Sequence, residues 1–251
     1  MKKTDLKRRS FLGTGLLTVG TLLASPLNLK GASNSFSSLV NNKKIFLSEN
    51  GNIGKDSQIV IGYISSSNNG VKHEKAIDKF REKHNYKSIL SYKSNDKFKV
   101  PFAKDIISYF VETNELSFTA CLVDVGENFK MSPIEKQEFR LECYQTLLAE
   151  QAFKGGDQVI VKPFTPFGPK GEFSKKFTEK FGADHKAKNA YESNLLQLSN
   201  ILSGCLLSEV INICEHPIKQ EIIAHLKTSL EVSSLTDIKD FKKIKIVHIK
   251  K

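Results

Sequence analysis

The apolar positions of this chain change their period along its length, and each change marks an element. Lys44 to Ser48 and Gln58 to Ser65 read as two strands, separated by the turn-rich Glu49-Asn50-Gly51-Asn52, which makes them a hairpin. Lys72 to His84 reads as a charged helix. From Val100 to Thr113 the apolar residues fall at Phe102, Ile106, Phe110 and Val111, a helical period. Phe118 to Val125 is a short apolar strand. Ser132, Pro133 and Glu135 then stand where a helix places its N-cap, its first residue and its third, so a helix starts here. It is expected to run to about Phe153 and to stop at Gly155-Gly156.

Gln158 to Lys162 reads as another short strand, and Pro163 to Gly171 as a loop, because its prolines and glycines forbid regular structure. A helix from Glu172 to Phe181 follows. Leu195, Leu198, Ile201, Leu202, Cys205 and Leu206 mark a strongly amphipathic helix that continues towards Ile213. His216-Pro217 breaks it, a further helix reaches Leu230, and Ile244 to Ile249 is a closing strand. A hairpin first, then helices alternating with single strands, predicts an α/β domain with a mixed sheet flanked by helices. The closing strand carries Lys243 and Lys245 in alternation with isoleucines, as an edge strand protected against pairing with another chain would.

The first 33 residues fit none of this. Lys2, Lys3, Lys7, Arg8 and Arg9 are followed by Ser10-Phe11-Leu12, so Arg8-Arg9-Ser10-Phe11-Leu12 matches the twin-arginine export consensus. The apolar run from Phe11 to Ala24 is diluted by glycines and threonines and is shorter than the roughly 20 residues a spanning helix needs, so no permanent membrane span is expected. Residues 1–33 are therefore read as a signal peptide, 34–43 as a linker and 44–251 as the domain. The partner during export is the twin-arginine translocase, and the location periplasmic or secreted, or membrane-anchored if the signal is uncleaved.

Removing that segment changes the charge. The chain has 38 Lys+Arg against 27 Asp+Glu, a net +11, but residues 1–33 hold six of the basic residues and one of the acidic ones. The body keeps 32 against 26, a dispersed +6 that gives nucleic acid only thin support as a partner. Its four cysteines, Cys121, Cys143, Cys205 and Cys214, sit in apolar segments without C-x-x-C spacing. Cys205 and Cys214 are nine residues apart, on opposite sides of one helix, and buried free thiols are expected.

Two segments carry a family resemblance. Lys44-Ile45-Phe46-Leu47-Ser48-Glu49-Asn50-Gly51-Asn52, followed by Ile59-Val60-Ile61-Gly62-Tyr63-Ile64, resembles the opening of the bacterial family called domain of unknown function 3800, whose first strand reads Tyr-Ile-Asp-Glu-Ser-Gly. Tyr191 to Gly204 is similar to that family's Ser-x-x-x-Leu-Gln-Leu-Ala-Asp-Leu-x-x-Gly signature. The resemblance spans about Asn42 to Lys251 and implies an RNase H-like fold, with carboxylates from the strands and the last long helix meeting at one metal site.

Such a site needs carboxylates, because hard anionic oxygens are what hold Mg²⁺ or Mn²⁺ beside a phosphodiester. Carried over position by position, the resemblance puts Ser48 where the strand aspartate would be, Asn200 where the helix aspartate would be, and Lys162 at the end of the later strand. An acidic residue two before a lysine is replaced by Ser91 before Lys93. Asp124 and Glu49 are the remaining ligand candidates. A unit-charge pair at 4 Å is worth about 4 kcal/mol at an effective dielectric of 20, so losing two or three ligands should empty the site. Gln197 and Gly204 share the side of Asn200, and a glycine inside a helix suggests a close neighbour there.

No Gly-x-Ser-x-Gly elbow, phosphate loop or His-Glu-x-x-His is present, and the six histidines stand at no metal-ligand spacing. The expectation is an exported, catalytically inactive RNase H-like module that binds an unknown ligand or serves a structural role, with no cofactor. The alternatives are a Mg- or Mn-dependent nuclease built on Glu49 and Asp124, and a hydrolase using a serine.

Overall fold

Strand β1 (Lys44–Asn50) buries residues on both of its faces, Ile45 and Leu47 on one and Phe46 on the other, and the sheet accordingly keeps it in the interior. The computed structural model describes residues 42–53, 56–66, 70–126, 131–161, 170–188, 192–212, 216–241 and 243–250, all within one compact unit. The expected export signal at 1–33, most of the expected 34–43 linker, Lys162, residues 163–169 of the expected loop and Cys214 lie outside the described residues.

After β1 come β2 (Gln58–Ser66), α1 (Val71–Lys83), α2 (Lys99–Glu112), β3 (Leu116–Asp124), α3 (Pro133–Leu148), β4 (Gln158–Val161) and α4 (Lys170–Phe181). Then follow β5 (Asp184–Ala187), α5 (Asn194–Val210), α6 (Pro217–Leu230), β6 (Asp240–Phe241) and β7 (Ile244–Lys250). The sheet order is β5-β4-β1-β2-β3-β7-β6. Strand β2 is antiparallel to β1 and β3, while β4 is parallel to β1, β5 to β4, and β7 to β3. An antiparallel β1-β2-β3 meander continued by parallel β4 and β5 beyond β1 is the RNase H-like mixed sheet that the resemblance implies.

The two sheet faces carry separate cores. Phe46, Val60, Ile64, Phe118 and Ala120 pack against α1, α2, α5 and α6, while Ile45, Leu47, Ile61, Cys121 and Val123 pack against α3 and α4. Helices α2 and α6 run parallel: Lys104 pairs with Glu221 at 2.6 Å, and one turn on Ser108 meets His225 at 3.0 Å. Cys121, Cys143 and Cys205 are buried thiols, and burial pushes the Cys121 pKa up to about 12.

Several sequence expectations shift. Strand β1 continues through Glu49 and Asn50, so the turn begins only at Gly51. Helix α3 starts on the expected capping box but ends at Leu148, because Gln151 is drawn down to donate to the Tyr63 hydroxyl at 2.8 Å and to accept from Lys43. Strand β5 had no apolar signal. It is held by His185, whose ring lies 5.0 and 5.2 Å from those of Phe173 and Phe177. Lys243 does not guard an edge: its ammonium donates to the carbonyls of Phe110 and Thr113, closing the C-terminus of α2. Lys245 pairs with Glu150, and β6 covers the start of β7.

Candidate functional site

The Ser48 position lies under α5. By the two-residue period, Phe46, Ser48 and Asn50 share the face on which α5 packs, and the antiparallel register sets Ser48 opposite Gly62. Three hydroxyls meet there: Ser48 Oγ is 3.0 Å from Ser199 Oγ and 3.0 Å from Ser203 Oγ. Ser199 Oγ donates to the Gly62 carbonyl at 3.0 Å. A hydroxyl carries one proton, so the direction of the whole chain follows: Ser203 donates to Ser48, Ser48 to Ser199, and Ser199 to Gly62. Ser48 is 3% exposed and Ser199 and Ser203 are fully buried.

The approach of α5 to the sheet depends on Gly62. A Cβ on that residue would lie 2.5 Å from Ser203 Oγ and 2.6 Å from the Phe118 ring, so any side chain would lift the helix. Where the resemblance expects metal-binding carboxylates, the protein therefore has a closed, internally satisfied hydroxyl cluster.

Asn200 faces away from that cluster, towards the end of β1. The Asn50 amide donates to the Asn200 carbonyl at 3.1 Å, and the Asn200 side-chain oxygen accepts from the backbone N–H of Tyr92 at 3.0 Å. Tyr92 belongs to the segment 85–98 between α1 and α2, which crosses α5 as a strap. Four α5 positions spaced by three, four and four residues receive it. Gln197 accepts from the Leu90 N–H at 2.7 Å, Asn200 holds Tyr92, Gly204 lies under the Tyr92 ring, and Ser208 accepts from the Tyr92 hydroxyl at 2.7 Å. The close neighbour that a helical glycine suggested is this ring.

Two charged side chains brace the strap. Arg81 donates to the carbonyls of Tyr86 and Ser88 and to Gln197. Lys99, fully buried, directs its ammonium at the carbonyls of Ser91, Tyr92 and Ser94. Burial, then the charge of Lys219, lowers the Lys99 pKa to about 8. Between about pH 8 and the usual lysine range near 10.5 the unfolded chain holds a proton that the folded one has released, so stability rises with pH across that window. The rise is at most about 3 kcal/mol. Chemical denaturation at about pH 7.5 and about pH 10 should show it in the wild type and not in Lys99→Met. Equal slopes in the two proteins would contradict this account.

Glu49 points to the opposite face. Both of its carboxylate oxygens accept from Arg140 Nε at 3.0 Å, and one accepts from the Tyr144 hydroxyl at 2.7 Å. Tyr144 is fully buried, and burial followed by the neighbouring Glu49 charge holds its pKa well above the phenol range. Asp124 lies on the α5 face but four residues along β3 from Ala120, the residue in register with Gly62 and hence with Ser48. With strands about 4.8 Å apart and a rise of about 3.4 Å per residue, that is roughly 16 Å from Ser48. Asp124 instead accepts from the Gly126 N–H at 3.1 Å.

The five candidates thus separate. Ser48 and Asn200 lie under and on α5, Glu49 is across the sheet, Asp124 is at a distance, and Lys162 is outside the described residues. Glu49, held by Arg140 and Tyr144 on the α3 side, and Asp124, at the end of β3 on the α5 face, are not brought together as a Mg²⁺ or Mn²⁺ ligand pair. Among the described residues no group of three or more His, Cys, Asp or Glu converges. Sequence reasoning missed Ser199, Ser203, Asn50, Tyr92, Arg140 and Tyr144. The four-residue spacing of Ser199 and Ser203, opposite a glycine inside a strand, was the signal available for the first pair.

No protein-family model matches the chain, and no curated protein matches it. Solved structures do. One is a chain from the PCNA:RNase HII complex of Archaeoglobus fulgidus, at 14% identity over 74% of this chain and 87% of that one, with a TM-score of 0.40. Another is the ribonuclease H2 of Pyrococcus horikoshii OT3, at 10% identity over 74% and 99%, with a TM-score of 0.41. A third is Bst-RNase HIII in complex with Mn²⁺, at 11% identity over 78% and 71%, with a TM-score of 0.33. The RNase H-like arrangement stands on the strand order and directions given above.

Proposed function

We propose that this is an exported protein whose RNase H-like domain is catalytically silent and acts as a binding or structural module. The observation that carries this is the closed hydroxyl chain Ser203–Ser48–Ser199–Gly62, whose groups satisfy one another at the position where the resemblance expects a metal-binding aspartate. Hydroxyls are poor substitutes for carboxylates at a hard divalent ion, and a cluster that excludes water leaves no room for a phosphodiester. Glu49 is committed to Arg140 and Tyr144, so it is not a spare ligand.

The test is calorimetric titration of the protein with Mn²⁺, beside a hydrolysis assay on RNA–DNA hybrid and on single strands. Neither binding at millimolar metal nor cleavage is expected. Mn²⁺-dependent cleavage abolished by Asp124→Ala would reject the silent reading. Export rests on Arg8-Arg9-Ser10-Phe11-Leu12, and the double change Arg8→Lys, Arg9→Lys should keep the protein in the cytoplasmic fraction.

A further inference from the structure

Helices α2 and α6 begin at the same end of the domain, and the strap meets them there. Phe98, the residue before α2, is 71% exposed, the most exposed large apolar side chain among the described residues. Lys97 lies over its ring at 5.4 Å, and Lys219, in the first turn of α6, lies over the buried Tyr92 ring at 5.3 Å. Lys93, next to Tyr92 on the strap, is exposed. Neither helix has an acidic residue in its first turn; of the nearby carboxylates, Glu221 pairs with Lys104, and Asp96 accepts from the Phe98 N–H at 2.9 Å and leaves the three lysines in excess. A projecting phenyl ring with Lys97 over it thus stands beside Lys99, whose ammonium holds the strap carbonyls on either side of Lys93 and feels the charge of Lys219, and Lys93, Lys97 and Lys219 have no ion-pair partner among the described residues.

We infer that the patch formed by Lys93, Lys97, Phe98 and Lys219 docks onto an anionic lipid surface. This names a partner for the binding module proposed above and rests on that reading. An aromatic side chain enters the boundary between headgroups and acyl chains, and flexible lysines reach the phosphates around it. Each lysine near such a surface contributes about a fivefold gain in partition. Single-stranded nucleic acid fits less well, because it needs successive exposed aromatic platforms, and Tyr92, the other ring here, is only 5% exposed.

The chain contains no tryptophan, so Phe98→Trp in the full-length protein places a single reporter at the patch. With phosphatidylglycerol-containing vesicles its emission should shift to the blue, and with phosphatidylcholine vesicles it should not. Ile134→Trp, equally exposed on α3, should not shift with either. Adding Lys93→Ala, Lys97→Ala and Lys219→Ala to Phe98→Trp should weaken partition by about fivefold per lysine. Vesicle binding without a shift at position 98 would overturn the inference, because another part of the chain would then be the contact. A response to a single-stranded oligonucleotide and not to vesicles would overturn it in favour of nucleic acid. The hydrolysis assay on the same protein tests the silent reading separately, so the two can fail independently.

Discussion

Gly204→Val should come close to unfolding the domain. A Cβ on Gly204 would lie 2.1 Å from Cγ of Tyr92, and that ring is buried, so it has no free space to move into. Either the helix tilts off the sheet or the strap lifts. Lifting the strap breaks the bond from the Tyr92 N–H to Asn200 and the bond from its hydroxyl to Ser208, both of them in buried or half-buried surroundings. Overpacking costs about 1–3 kcal/mol, and each buried polar group left alone costs about 1–3 kcal/mol more. The sum, about 3–9 kcal/mol, is comparable to the whole stability of a typical domain. Gly204→Ala meets the same ring and should lose about 2–3 kcal/mol. Gly155→Ala is the control, since nothing lies within 4 Å of its Cβ position, and it should stay within about 0.5 kcal/mol of wild type. Denaturant melts of the three variants check this, and a Gly204→Ala as stable as Gly155→Ala would contradict the packing described.

How much of this was legible beforehand depends on the range of the interaction. The start of α3 was written locally, in Ser132, Pro133 and Glu135, and the helix begins there. The α5 stripe was half legible. The spacing of Gln197, Asn200 and Gly204 gave a face and a close neighbour, but the neighbour comes from more than a hundred residues away and carries no mark of its own. The separation of Glu49 from Ser48 followed from strand alternation alone, once β1 was known to extend through Glu49. The distance of Asp124 did not, because it depends on the β1-β2-β3 register, which the hairpin turn sets. Strand β5 was invisible for a different reason. Three of its four residues are polar and the fourth is an alanine, and one histidine between two phenylalanines replaces the usual apolar pattern. A lone lysine on a strand flank could likewise not be told from edge protection until Lys243 was seen at the end of α2.

Ser48→Asp puts back the carboxylate that the resemblance expects, and it should destabilise the protein without awakening hydrolysis. The wild-type hydroxyl donates to Ser199 while accepting from Ser203, and an ionised carboxylate can only accept. If Ser199 turned to donate to it, the Gly62 carbonyl would lose its partner from α5. The extra atoms would also press into a space already closed by Ser199 and Ser203. A buried, poorly partnered carboxylate costs several kcal/mol in its charged form, so the introduced group will take up a proton and titrate above the ordinary aspartate range of about 3.9. The sign then follows. Above its unfolded pKa the unfolded chain is charged while the folded one keeps the proton, so the deficit against wild type grows as pH rises, by about 1.4 kcal/mol per unit, until the folded pKa is passed. Acidification should therefore narrow the gap between the two melting curves. Ser48→Ala, which merely breaks the hydroxyl chain, should lose about 1–2 kcal/mol at every pH. Thermal melts across about pH 4 to 8, each with and without Mn²⁺, separate the possibilities. If Mn²⁺ raised the melting temperature of Ser48→Asp and the variant cut a phosphodiester, the position would be an open metal site one substitution away from activity, and closure by α5 would no longer support the proposal of a silent module.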